Sequence, residues 1–202
     1  MADDAELIRA WQEGDRATGA RLFDRHYASV ARFFRNKVGP QESADLVQST
    51  FLACFEGLPR VQASRFRSYL FAVACNLLRK HFRSKHRARV ELGTVSVFDL
   101  DPSPSAVLAG DQRQRQLLEA LRRIPIEMQV VLELFYWESM TAAELAEVLE
   151  IPVGTAKTRI RRARQLLHEQ MQAIDAQGLA SGCTVEDLDA WAQGLRGEPE
   201  PS

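Results

Sequence analysis

Apolar residues return at every third or fourth position along most of this chain, and no stretch of any length alternates apolar with polar. A period near 3.6 gathers such residues on one side of a helix, whereas a half-buried strand needs a period of two. The pattern therefore confines the fold to packed helices. Leu7, Ile8 and Trp11 form a first stripe, and Leu22, Phe23, Tyr27, Val30, Phe33 and Phe34 a second. After the Gly39-Pro40 break, Ser43 is the expected N-cap of a third helix carrying Leu46, Val47, Thr50, Phe51 and Cys54, which Gly57 ends. A fourth is expected to start near Ser68, with Leu70, Phe71, Val73, Ala74, Leu77 and Leu78, and to run into a basic stretch ending near Arg89.

The periodicity then fails from about Val90 to Gly110, where Asp101, Pro102, Ser103, Pro104 and Ser105 have the composition of a linker. It resumes with Leu117, Leu118 and Leu121, and again after Pro125 with Val130, Val131, Leu134 and Phe135. The expected fold class is all-α: two small helical bundles joined by a flexible linker. Their expected bounds are 1–90 for the first, 91–110 for the linker and 111–177 for the second. Residues 178–202 form an acidic extension in which Thr184 and Asp187 can cap a short helix bearing Leu188, Trp191 and Leu195. This extension either packs loosely or docks on a basic patch and restrains it.

Charge is more informative in its distribution than in its sum of −1. No acid occurs between Glu56 and Glu91, a stretch that holds Arg60, Arg65, Arg67, Arg79, Lys80, Arg83, Lys85, Arg87 and Arg89. Acid is again absent between Glu150 and Glu169, beside Lys157, Arg159, Arg161, Arg162 and Arg164. Two separate basic patches on a nearly neutral chain point to two docking surfaces for a polyanion.

The second patch lies within a recognisable arrangement. Thr141 and Glu144 have the spacing of a capping box, opening a short helix with Leu145, Ala146, Val148 and Leu149. A turn follows in which Pro152 stops the helix and Gly154 is expected to permit tight geometry. A second helix starts near Thr155, with Ala156, Ile160, Ala163, Leu167, Met171 and Ile174 on its apolar face and Lys157, Thr158, Arg161, Arg162, Arg164 and Gln165 on the other. This is a helix-turn-helix, whose second helix can enter a major groove. Arg159 and Arg164 are expected to touch phosphates or to pair with acids such as Glu144 and Glu147.

Other classes find little support. Cys54, Cys75 and Cys183 are odd in number and never in CxxC spacing, which argues against disulfides and a structural zinc site. His26, His81, His86 and His168 lie in no metal-binding or triad context, and the basic patches offer no acid–base pair, so neither catalytic residues nor a metal or other cofactor is expected. The N-terminus lacks a secretory pattern, and no run approaches a membrane span, so a cytoplasmic protein without membrane insertion is expected.

Residues 121–167 resemble the C-terminal domain of sigma-70 family proteins, and the run GTAKTRIRRAR at 154–164 is similar to that family's recognition helix. The resemblance implies contacts to a promoter −35 element by Thr155, Lys157, Thr158, Arg161 and Arg162. Some response regulators have similar output domains, so this half alone leaves a stand-alone DNA-binding regulator open. The first half narrows the choice. DLVQSTFL at 45–52 is similar to the helix with which sigma factors hold the polymerase β′ coiled coil, and its Asp45, Gln48 and Leu52 share one helical face. FRSYLFAVACN at 66–76 resembles the segment that melts and reads the −10 element. The resemblance implies −10 contacts by Arg65, Phe66, Arg67, Tyr69, Asn76, Arg79, Lys80 and Arg83, with Phe66 or Tyr69 able to stack on an unpaired base, while packing in the core is the other role open to each aromatic. Tyr69 stands where the family usually has Trp, and Lys80 where an acid is common. The chain is identified as resembling the group IV, extracytoplasmic-function sigma factors. Its implied partners are core RNA polymerase (β′ coiled coil and β flap), promoter DNA and an anti-sigma factor.

Overall fold

The computed structural model describes residues 4–57, 61–85, 92–100 and 112–174, and among these every regular element is a helix. The chain divides into two compact units, one built mainly on Met1–Arg87 and the other on the chain from Ala88 onward. Residues 101–111 of the expected linker and the 178–202 extension, with its expected short helix, its docking on a basic patch and Cys183, lie outside the described residues.

The first unit contains α1 (Asp4–Gln12), α2 (Arg16–Arg35), α3 (Pro40–Gly57) and α4 (Phe66–Lys85), with a 3-10 turn, Ala63–Arg65, leading into α4. Helix α1 packs on α2, α2 on α3 and α3 on α4. Their apolar stripes meet in one core containing Ile8, Leu22, Val30, Phe34, Val47, Phe51, Leu70, Phe71, Ala74 and Leu78. Aromatic edges lock α2 to its neighbours: Phe23 lies 4.4 Å from Phe51, and Phe33 meets Phe71 edge-on at 5.9 Å. Helix α1 is tied to α2 through Asp4, which accepts from Arg25 at 2.6 Å and contacts His26 Nε2 at 2.7 Å. Burial on its own would raise the Asp4 carboxyl, but the hydrogen bond from Arg25, joined by His26, outweighs it and holds the pKa below the usual value.

Three local expectations are corrected here. Ser43 does not cap α3, since the helix starts at Pro40 and Ser43 is buried inside it. Proline fits a first helical position because its missing N–H needs no partner there. Gly39 takes the cap position instead, its N–H donating to Glu42 Oε2 at 2.9 Å. Helix α4 begins at Phe66 rather than near Ser68, because the 3-10 turn feeds directly into it. Residues 92–100, expected to be linker, are folded as part of the second unit.

That unit comprises α5 (Val97–Leu100), α6 (Gln112–Arg123), α7 (Ile126–Tyr136), α8 (Ala142–Leu149) and α9 (Val153–Ile174). Helix α9 packs along both α6 and α7 through Ala156, Ile160, Ala163, Leu167, Met171 and Ile174, all buried. The capping box that opens α8 is present in full: the Thr141 N–H donates to Glu144 Oε2 at 2.7 Å, and the Glu144 N–H donates to Thr141 Oγ1 at 3.2 Å. Helix α8 ends with Glu150 at φ 56° and the Ile151 N–H returning to the Ala146 carbonyl at 3.0 Å. This is a Schellman closure with a glutamate in the left-handed position that glycine usually takes. Gly154, expected to supply the tight geometry, sits instead within the first turn of α9, where an added Cβ would meet nothing within 4 Å.

Candidate nucleic-acid interface

On α3, Asp45, Gln48 and Leu52 are all exposed, while Val47, Thr50, Phe51 and Cys54 of the same helix are buried. Leu52 is 57% exposed, the largest value among the exposed large hydrophobic side chains of the described residues. An acid, an amide and a leucine thus share one outer face. Burial pushes the Cys54 thiol behind them up to about 12, so it behaves as a small apolar side chain rather than a nucleophile.

On α4 the outward face carries Asn76, Lys80 and Arg83, with Tyr69 and Val73 half-buried in the same row, at steps of three and four residues. Arg65 is exposed on the 3-10 turn, and Arg67 and Arg79 are half-buried. Arg79 donates to the Asn76 side-chain carbonyl at 3.0 Å, which holds the amide against its cationic neighbour. Lys85 ends the row 2.6 Å from Glu42 on α3.

Neither of the two aromatic side chains expected to stack on a base is fully exposed. Phe66 is only 1% exposed and meets the His26 ring edge-on at 5.4 Å. It is a core residue at the start of α4, as one of the two roles open to it has it, and the −10 contact that the resemblance implies for it is corrected. The hydrophobic transfer of a phenyl ring explains the inward rotamer once α4 starts at this position. Tyr69 is half-buried, with its hydroxyl over the end of α3: a Cβ on Gly57 would come within 1.9 Å of that oxygen. Burial raises the phenol pKa, and the nearby Cys54 adds to the effect.

On α9, Thr155, Lys157, Thr158, Arg161 and Arg162 are all exposed along the face opposite the core stripe. Thr158 Oγ1 donates back to the Gly154 carbonyl at 3.0 Å. Arg159 is held away from this group by Glu127 of α7 at 3.3 Å, so its acid partner is on α7. Arg164 lies over the rings of Phe135 and Tyr136, with its guanidinium carbon 5.3 and 5.2 Å from their centroids. Both arginines therefore brace α9 on α7. Sequence reasoning missed Glu127, for which no local signal exists, and Val153, which is 45% exposed at the start of α9. Val153 follows a proline at a helix start, a position where an apolar side chain can remain outside.

Two helical units, one with an exposed cationic row and one with a helix-turn-helix whose second helix carries a polar and cationic outer face, define a DNA-binding protein of transcription. The comparisons specify which kind. Residues 22–88 match the family model for sigma-70 region 2, and residues 114–167 the model for sigma-70 region 4. An ECF RNA polymerase sigma-E factor of Haemophilus influenzae is 22% identical, over 85% of this chain and 96% of its own. The ECF RNA polymerase sigma factor BldN of Streptomyces coelicolor is 30% identical, over 80% of this chain and 63% of its own. The fold resembles that of CnrH, solved in complex with the cytosolic domain of CnrY, with a TM-score of 0.63 at 24% identity, covering 84% of this chain and 97% of that one. The chain belongs to the extracytoplasmic-function group of the sigma-70 family. It is a transcription initiation factor that directs RNA polymerase to promoters, and the region 2 match is what a stand-alone helix-turn-helix regulator would leave unexplained. No described helix is long and apolar enough to cross a membrane.

Proposed function

We propose that three surfaces divide the work of this sigma factor. Asp45, Gln48 and Leu52 on α3 hold the β′ coiled coil of core polymerase. Arg65, Arg67, Tyr69, Asn76, Arg79, Lys80 and Arg83 hold the −10 element, with the cations on phosphates and Tyr69 at the aromatic end of the row. Thr155, Lys157, Thr158, Arg161 and Arg162 on α9 read the −35 element. The second unit as a whole meets the β flap. The protein works in the cytoplasm, performs no chemistry of its own and is held in reserve by an anti-sigma factor.

The observation that carries this division is the two-sidedness of α9, where the whole apolar stripe is buried and the five proposed reading residues all face outward. Lysine or arginine on such a face can address guanine edges, and threonine can contact bases or phosphate. Reconstituted run-off transcription with bacterial core polymerase tests it. Asp45→Ala with Gln48→Ala should abolish promoter-specific transcripts while leaving duplex binding by α9 intact. Undiminished transcription by that variant would remove α3 from the polymerase interface.

A further inference from the structure

The first turn of α9 projects clear of the rest of the second unit. Four successive residues, Pro152, Val153, Gly154 and Thr155, are exposed, and the stripe that packs on α6 and α7 begins only at Ala156. A Cβ added to Gly154 would meet nothing within 4 Å, so the turn is open on that side as well. The chain is already committed to helix there, since the Ala156 N–H donates to the Pro152 carbonyl at 3.0 Å. In this open turn Val153 is 45% exposed, one of three large hydrophobic side chains so placed among the described residues. The apolar residue that braces a helix start is the one before the cap, here the half-buried Ile151, which leaves Val153 without that task.

The place of Val153 on the helix gives its exposure a use. Val153, Lys157 and Arg161 are exposed at steps of four, which sets them along one inclined row of the helix surface. Lys157 and Arg161 belong to the set proposed for the −35 element. Val153 extends their row by one step, about 6 Å, toward the N-terminal end, and that is the end a recognition helix brings to base edges. Such a step corresponds to about two base pairs of duplex. No acid lies between Glu150 and Glu169 to hold this end of the helix off a polyanion. An isopropyl group can neither donate to nor accept from a base or a phosphate. Of the features that the major groove presents, the one it matches is the C5-methyl group of thymine.

We propose that Val153 is a specificity-determining residue of the −35 contact, packing on the methyl group of a thymine within about two base pairs of the pair that Lys157 addresses. The inference rests on the assignment of α9 to the −35 element, and it adds an apolar contact to a polar and cationic set. A methyl contact of this kind selects thymine without adding to the salt-dependent attraction that the cations supply.

Deoxyuridine lacks only the methyl group of thymidine, so it isolates the contact. Holoenzyme is assembled from the full chain and bacterial core polymerase, together with a genomic promoter that it transcribes. Each thymine of the −35 element, on either strand, is replaced singly by deoxyuridine, and promoter affinity is measured. For the wild type it should fall about fourfold at one position, the worth of one buried methyl group. Val153→Ser should already have lost that factor on the thymine promoter and should lose nothing further when deoxyuridine stands at this position. Val153→Ile, which keeps the apolar contact, should respond as the wild type does. A deoxyuridine effect of the same size in wild type and Val153→Ser at every position would overturn the inference and set Val153 against a protein surface or none. The absence of any deoxyuridine effect in the wild type would overturn it equally. Arg161→Ala tells this failure from a deeper one. If Arg161→Ala weakens the promoter while Val153 and the methyl group stay uncoupled, the inference about Val153 falls alone. If Arg161→Ala changes nothing either, the assignment of α9 to the −35 element falls with it.

Discussion

The cationic rows of α4 and α9, both proposed to attract DNA, lie on helices that are built differently. Helix α9 is strictly two-sided: six buried apolar residues face α6 and α7, and the five residues proposed to read the −35 element are exposed. Helix α4 is more deeply enclosed, with Phe66, Leu70, Phe71, Ala74, Cys75, Leu78 and Phe82 all buried and Arg67 and Arg79 of its basic set only half-exposed. A helix that reads duplex edges needs a narrow, rigid, projecting face. A helix that holds a melted strand instead works as a broad platform, and its aromatic members are shared between the platform and the core.

That difference can be broken first at Phe66. If it belongs to the core, Phe66→Ala should destabilise the protein by about 3–5 kcal/mol, as truncation of a buried phenyl does, and chemical denaturation will measure it. Phe66→Leu should recover most of that loss and should leave −10 recognition unchanged in permanganate footprints. A footprint altered by Phe66→Leu at normal stability would return this residue to the DNA. Arg161→Ala gives the contrasting case. Stability should stay within about 0.5 kcal/mol, as for an exposed side chain, whereas affinity for a −35 duplex should fall by about 1–3 kcal/mol. Equal losses of stability and affinity would mean that α9 is less two-sided than its burial pattern indicates.

The same contrast explains what could be read from the sequence. Period and charge are local properties, so the helices, the apolar stripe of α9, the Thr141–Glu144 box and both basic rows were legible. What failed depended on a partner distant in the chain. The resemblance of residues 66–76 implies a DNA contact for Phe66, but its environment is set by His26, forty positions earlier. Arg159 was matched to nearby acids, yet it pairs with Glu127. Residues 92–100 are too short to show a period, and their backbone hydrogen bonds to α7 leave no trace in the sequence, although Ser96 and Asp99, which cap α5 reciprocally, are a local signal that marks this helix start. The turn before α9 was credited to Gly154, although Glu150 carries the left-handed backbone at φ 56°.

Lys85 sharpens the comparison at the smallest scale. It belongs to the acid-free run, yet its ammonium is 2.6 Å from Glu42. The hydrogen bond from Lys85 is the main reason that the Glu42 carboxyl lies below its usual pKa, with burial opposing and the Gly39 N–H assisting. A cation already matched to an acid releases fewer counterions on meeting DNA. Lys85→Ala should therefore weaken promoter binding less than Arg83→Ala, and should reduce the salt slope by clearly less than one. The pair also carries a pH signature. A carboxyl with a depressed folded-state pKa contributes stability above its unfolded value, and that contribution is lost as the pH falls through the folded value. The difference in Tm between wild type and Glu42→Gln should accordingly be present at neutral pH and close as the pH drops below about 4. With both side chains partly exposed, the difference should be small. A Tm gap that persists in acid would separate Glu42 from Lys85 and return Lys85 to the DNA-binding row of α4.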